Sequence, residues 1–196
     1  VIDGDARAAL VDAMFAEAAA QHEAARRAGF APLIAVADAL LAAFAGGRKV
    51  LFFGNGGSAT DAQHFATELA VRFERDRRGL PAVALTADGS TLTAAGNDLG
   101  FERVFARQVE ALGAPGDVAV GISTSGASPN VRAGLAEAHA RGLVTVAMTG
   151  RDGGEVGRLA TLHLNVPHGN TARVQEVQRT QIHAICALVE AGLDRG

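Results

Sequence analysis

His64 and Glu68 stand four residues apart, which puts both side chains on one face of a helix. An imidazole and a carboxylate so placed can share a metal ion or move protons at a reacting carbon. The same spacing also suits an ordinary surface hydrogen bond, so a metal site needs further ligands. Gln175, Glu176 and His183 are the candidates, far along the chain. Glu176 and His183 are i, i+7, nearly one helix face. Gln175 and His183 are i, i+8, displaced by about 80° at 3.6 residues per turn. Spacing alone does not choose between Gln175 and Glu176. The chain has no His-Glu-x-x-His motif and no paired cysteines. Its single cysteine, Cys186, lies in the apolar stretch 182–189. It reads as a small buried side chain, and a reducing cytoplasm is the expected compartment.

Two turns supply groups for an anion. Gly54-Asn55-Gly56-Gly57-Ser58 follows an apolar run and opens the helix that carries His64. It offers bare backbone N–H groups and a positive helix end. Ser123-Thr124-Ser125-Gly126-Ala127-Ser128 also joins an apolar run to a helix. Ser128 suits the N-cap and Pro129 the first helical position. With Ser123, Thr124 and Ser125 it makes a neutral phosphate cradle. One such turn would be unremarkable, because these residues dominate turns generally. Two of them, after two strands of one sheet, point to a bound anion. Neither has the glycine spacing of a dinucleotide fingerprint or the Gly-Lys-Ser/Thr of a P-loop, so a sugar phosphate is the expected ligand. Asn97-Asp98 reads as a polar pair in a turn, equally suited to turn formation and substrate binding. Arg72 suits either a helix C-terminus or a phosphate. His22, His139, His163 and His168 lack supporting partners and read as structural or exposed.

Strands and helices must hold these groups in place. Strands are expected at 50–53, 82–85, 118–122, 144–148 and 162–166. Helices are expected at 58–73, 92–95, 102–112, 129–141, 155–159 and 172–191. Two apolar, alanine-rich helices precede them, at 6–28 and from Pro32 to Gly46. Alternating elements with continuous apolar strands predict an α/β fold, a parallel sheet covered on both faces. Ligands then bind at the carboxyl ends of the strands. The 196 residues fit one domain over 1–196, with helices 5–46 used for self-association. The net charge of −3, with no basic block, argues against a nucleic-acid surface. No apolar run has the length of a membrane span, and no segment resembles a secretory signal.

In combination these motifs resemble the sugar isomerase (SIS) domain family and, within it, the phosphoheptose isomerases. The resemblance rests on Gly54 to Ser58, Asp61-Ala62-Gln63-His64-Phe65, Gly96-Asn97-Asp98, Gly121 to Gly126 and Arg173-Val174-Gln175-Glu176. It implies a three-layer α/β/α sandwich on a five-stranded parallel sheet, preceded by a helical pair, and a homotetramer. His64, Glu68, Gln175 and His183 match positions that bind one zinc ion per subunit, which selects Gln175 over Glu176. Glu68 and His183 match the acid–base pair. Asn55, Gly56, Gly57, Ser58, Glu68, Arg72, Asn97, Asp98, Ser123, Thr124, Ser125, Ser128 and Gln175 match substrate positions, with the serines on phosphate. The implied reaction is ketose–aldose isomerisation of sedoheptulose 7-phosphate through an enediol(ate), the first step toward the heptose of lipopolysaccharide. Gln178 departs from the family, which commonly has histidine there. The other reading is a non-catalytic binding protein similar to the DnaA initiator-associating protein. That group lacks the Glu68 and His183 equivalents, and this chain has both.

Overall fold

Apolar residues run unbroken through each central strand, and the sheet they form is buried on both sides. The computed structural model describes residues 3–193; the ends of the expected 1–196 domain, at 1–2 and 194–196, lie outside the described residues. The strands are β1 (Val50–Gly54), β2 (Ala82–Ala84), β3 (Val118–Ser123), β4 (Val144–Gly150) and β5 (Leu162–Val166). All pairings are parallel and the order is β2-β1-β3-β4-β5.

Side chains alternate across this sheet, as the pleat requires. Val50, Phe52, Val118, Val120, Val146 and Met148 face one layer of core. That layer is closed by α2 (Ala31–Ala45), α3 (Gly57–Ala70) and α8 (Thr171–Leu193). Leu51, Phe53, Ala119 and Ala147 face the other. There the cover is α4 (Gly89–Leu99), α5 (Val104–Leu112), α6 (Pro129–Ala140) and α7 (Gly154–Leu159). Phe52 packs on Phe65 of α3 and Phe53 on Phe105 of α5, with ring centroids 4.5 and 5.3 Å apart. Gly121 lets α6 approach closely: a Cβ there would stand 2.9 Å from Val131 Cγ1.

The helix α1 (Gly4–Arg27) is different. None of its residues is buried, and Leu10, Val11, Met14 and Phe15 are each about half exposed or more. Among the described residues no single helix is long and apolar enough to cross a membrane.

Most ends fall within two residues of those expected, and three helices depart further or divide. Helix α3 ends at Ala70, not Phe73, because Val71 leaves helical geometry and Arg77 takes the final carbonyls. Helix α4 is much longer than 92–95, because the Asp88 carboxylate accepts the N–H groups of Ser90 and Thr91 and starts it early. Asn97 and Asp98 therefore sit in the last turn of a helix rather than in a turn between elements. The expected helix at 102–112 divides into a 3₁₀ turn, Phe101–Arg103, followed by α5.

Candidate active site

The strand order reverses direction at β1 and β3, the two central neighbours. A crevice opens at the carboxyl ends of strands at such a point. Register places Phe53 beside Gly121 and Gly54 beside Ile122. The glycine-rich and serine-rich turns therefore leave the sheet side by side. Their contact is a reciprocal amide pair between Asn55 and Asn130, 2.8 Å in each direction. Asn130 Oδ1 also accepts the N–H of Val131.

In the serine-rich turn, the buried Ser123 hydroxyl lies 2.9 Å from Ser128 Oγ and 3.4 Å from Ser125 Oγ. Ser128 occupies the N-cap position of α6, but its side chain does not cap the helix. Its hydroxyl turns inward to Ser123 instead, which leaves the first N–H groups of α6 without that cap. Thr124, Ser125 and Ser128 are half-buried around this mouth.

The helix α3 leaves the glycine-rich turn with Gly56 at φ 56°, a conformation that favours glycine. Ser58 is buried at its start. His64 and Glu68 follow on one face, and α8 brings His183 to meet them. The Nε2 atoms of His64 and His183 are 2.9 Å apart, and His64 Nε2 lies 3.4 Å from Glu68 Oε1. The ligand atoms of His64, Glu68 and His183 all lie within 4.8 Å of one another. Burial holds His64 below the ordinary histidine range; Arg179 and His183 add to this, and Glu68 and Asp61 oppose it. A neutral imidazole is the form that ligates a metal. Two imidazole nitrogens and a carboxylate are a donor set that suits zinc.

Gln175 stands in the first turns of α8. Its amide lies against Gly57, where a Cβ would stand 2.4 Å from Nε2. Gly57, Asp61, Gln175, Glu176, Arg179 and His183 share the wall of an open cavity of about 510 Å³. Glu176 accepts from Arg173 Nη2 at 2.5 Å through Oε1.

Some expected residues stand apart within the single chain. Arg72 is exposed in the segment after α3, and Asn97 and Asp98 are exposed and hydrogen-bonded to each other. His22 pairs with Thr180, His163 with Thr149, and His168 with Glu17. Cys186 is fully buried, and burial pushes its thiol up to about 12, as for a small side chain packed in the core.

The sequence reading passed over Asp61 and Arg179, which form an ion pair at the cavity wall. Helical spacing pointed to both. Asp61 is i−3 from His64 and Arg179 is i−4 from His183, so each shares its partner's face.

Residues 14–150 match the SIS domain family. A phosphoheptose isomerase from Geobacter metallireducens is 58% identical over 161 residues, covering 82% of this chain and 85% of the relative. One from Aquifex aeolicus is 56% identical over 158 residues, covering 81% and 83%. The chain belongs to the phosphoheptose isomerases of the SIS-domain family. Solved phosphoheptose isomerases share its fold over nearly their whole length. That from Neisseria gonorrhoeae has a TM-score of 0.88 and 46% identity, covering 92% of this chain and 97% of its own. The Francisella tularensis phosphoheptose isomerase has a TM-score of 0.91 and 34% identity, covering 94% and 98%.

Proposed function

We propose that this chain interconverts sedoheptulose 7-phosphate and D-glycero-D-manno-heptose 7-phosphate. The observation that carries the reading is the meeting of His64, Glu68 and His183, with Gly57 of the glycine-rich turn on the same cavity wall as His183. Relatives named phosphoheptose isomerase, more than half identical over the matched residues, support the reaction. They do not favour the non-catalytic alternative.

Ketose–aldose isomerisation moves one proton from C1 to C2 and one from O1 to O2. In our reading the Glu68 carboxylate removes the C1 proton of the open-chain ketose. The electrons form an enediol(ate) across C1 and C2. Glu68 then returns the proton to C2, and the aldehyde forms at C1. The His183 imidazole moves the proton between the two oxygens. A carboxylate and an imidazole suit these steps because a protein environment can tune both groups for proton transfer.

Ser123, Thr124, Ser125 and Ser128 would hold the phosphate, with Asn55, Gly56, Gly57 and Ser58 along the sugar. Anchoring one end of a flexible chain aligns its reacting carbons with the base. Arg72, Asn97 and Asp98 are assigned to substrate as well, reaching it in the assembled protein. His64, Glu68, Gln175 and His183 would hold zinc, which when bound polarises the carbonyl and stabilises the enediolate. Glutamine is a weak zinc ligand, so the ion should be lost more readily than from a structural site.

The whole chain acts in this reading as one SIS domain. The exposed apolar face of α1 supports a role for the N-terminal helices in self-association, and we assign a homotetramer. A cavity of about 780 Å³ between α1, α2, β5 and α8, lined by Ala25, Leu33, Val166 and Leu188, belongs to the same region. The phosphorylated substrate and the buried free thiol fit a cytoplasmic enzyme at the entry to lipopolysaccharide heptose.

The test is NMR of the purified protein with sedoheptulose 7-phosphate, with and without added zinc. Appearance of the aldose, faster with zinc, is expected. No aldose in either sample would overturn the reading.

A further inference from the structure

Residues 71–79 leave α3 just past Glu68 and lead to β2 without a helix or strand of their own. One side chain from the far end of α8 gives this segment its shape. The buried Glu190 carboxylate accepts the backbone N–H groups of Phe73, Glu74 and Arg75 at 3.0, 3.1 and 3.0 Å. Arg77 Nε donates to the same carboxylate at 2.9 Å. The Arg77 side chain is 9% exposed and that of Glu190 2%.

Both partners reach toward the candidate active site. Arg77 donates from Nη2 to the Glu68 backbone oxygen at 2.7 Å and from Nη1 to the Leu69 oxygen at 2.8 Å. The last turn of α3, with Glu68 on it, is thereby tied to α8. Phe73, whose N–H is held by Glu190, lays its ring on the His183 imidazole with centroids 5.5 Å apart and planes at 26°. His183 and Glu190 are seven residues apart on α8, nearly one face.

We propose that Glu190 and Arg77 are positioning residues for the isomerase site, setting Glu68 against His183 and holding Phe73 as a wall on the His183 ring. The inference rests on the isomerase reading. Neither residue touches a reacting atom; each acts through the backbone of Glu68 or the ring of Phe73. A buried ion pair stabilises or specifies many folds without serving a site. What sets this one apart is that its hydrogen bonds end on Glu68 itself and on the residue stacked against His183.

The structure supplies its own comparison. Asp117 is equally buried and accepts from Lys49 Nζ at 2.6 Å, the Lys49 N–H at 3.0 Å and the Ala114 N–H at 2.9 Å. That cluster lies beside the starts of β1 and β3, at the opposite end of the sheet from the two turns.

The experiment compares the full-length wild type with Glu190→Gln, Asp117→Asn and Phe73→Leu. Zinc affinity is read by competition with a chromophoric chelator, kcat and KM with sedoheptulose 7-phosphate, and amide hydrogen exchange across 71–79. Glu190→Gln should weaken zinc binding and lower kcat, each by about tenfold or more, the scale seen when groups that orient metal ligands are lost. It should also speed exchange at 73–75. Asp117→Asn should lower Tm yet keep zinc affinity and kcat. Wild-type zinc affinity and kcat in Glu190→Gln would overturn the proposal. If Glu190→Gln does not fold, Phe73→Leu decides, because it leaves the ion pair intact: weakened zinc binding supports the proposal and unchanged binding overturns it. A wild type that binds zinc but makes no aldose would remove the isomerase reading instead, while the affinity and exchange readouts still decide the positioning role.

Discussion

Asn55 and Asn130 exchange two hydrogen bonds, each side-chain amide donating to the other's carbonyl oxygen at 2.8 Å. The pair locks the turn after β1 to the turn after β3, across the point where strand order reverses. Asn130 is 2% exposed, and its Nδ2 donates to Asn55 Oδ1, so loss of Asn55 strands that donor while Oδ1 keeps the Val131 N–H. Asn55→Ala should cost about 1–3 kcal/mol, the usual penalty for a buried polar group left unpaired. It should also raise KM for the sugar phosphate, because the two turns lose their fixed relation. Denaturant unfolding and steady-state kinetics on the same variant check both.

Glu68→Gln keeps the shape of the side chain and removes its basicity. Turnover should fall by at least about two orders of magnitude, the common scale for a general base. Tm should stay within a few degrees of wild type, since the amide has the same shape and the Glu68 side chain keeps some exposure, 20%. Wild-type turnover in this variant would remove Glu68 from the mechanism.

Gly57 leaves room for the Gln175 amide. Gly57→Ala would put a Cβ 2.4 Å from Gln175 Nε2. The obstructed atom is the end of a flexible side chain, so the fold should tolerate the change while Gln175 turns away. Zinc affinity should fall by about tenfold or more, a loss typical when ligand orientation is disturbed. Gln175→Ala should match it, and the double variant should be no weaker than either single one.

Acid should destabilise the fold through two buried carboxylates. Burial alone would raise the pKa of Glu190, but the N–H groups of Phe73, Glu74 and Arg75, with Arg77, outweigh it and lower it below 4.5. For Asp117 burial is likewise outweighed by Lys49 and the Ala114 N–H, and its pKa falls below 3.8. A depressed folded-state pKa means that the unfolded chain binds the proton more tightly. The stabilisation is present above the unfolded values and is lost as pH falls through the folded ones. Stability should therefore decline as pH drops below the ordinary carboxylate range, about 4. Glu190→Gln and Asp117→Asn should each flatten that slope. Thermal melts from pH 7 to pH 3 measure it.

Much of this was legible locally. Unbroken apolar runs marked β1 and β3, and glycine or serine clusters after them marked the turns, because strand burial and turn chemistry act over a few residues. The strand order was not legible, since it depends on which strands pair and not on any one strand's pattern. Helix α4 was read as short because its Thr and Gly residues dilute the apolar signal, while its start depends on the Asp88 side chain. Ser128 has the position of a helix cap, but its hydroxyl turns to Ser123, five residues back at the end of β3. The Glu190 contacts join residues more than 110 positions apart, beyond the reach of periodicity. His64 and Glu68 declared their shared face by spacing; that His183 meets them required the fold.

The central claim is tested most directly by following sedoheptulose 7-phosphate with the zinc-loaded protein in D₂O by NMR. Proton transfer through a base that exchanges with solvent predicts the aldose heptose 7-phosphate with deuterium at C2, and neither product nor label with Glu68→Gln. Absence of aldose from the wild type, or label appearing at the wild-type rate with Glu68→Gln, would contradict it.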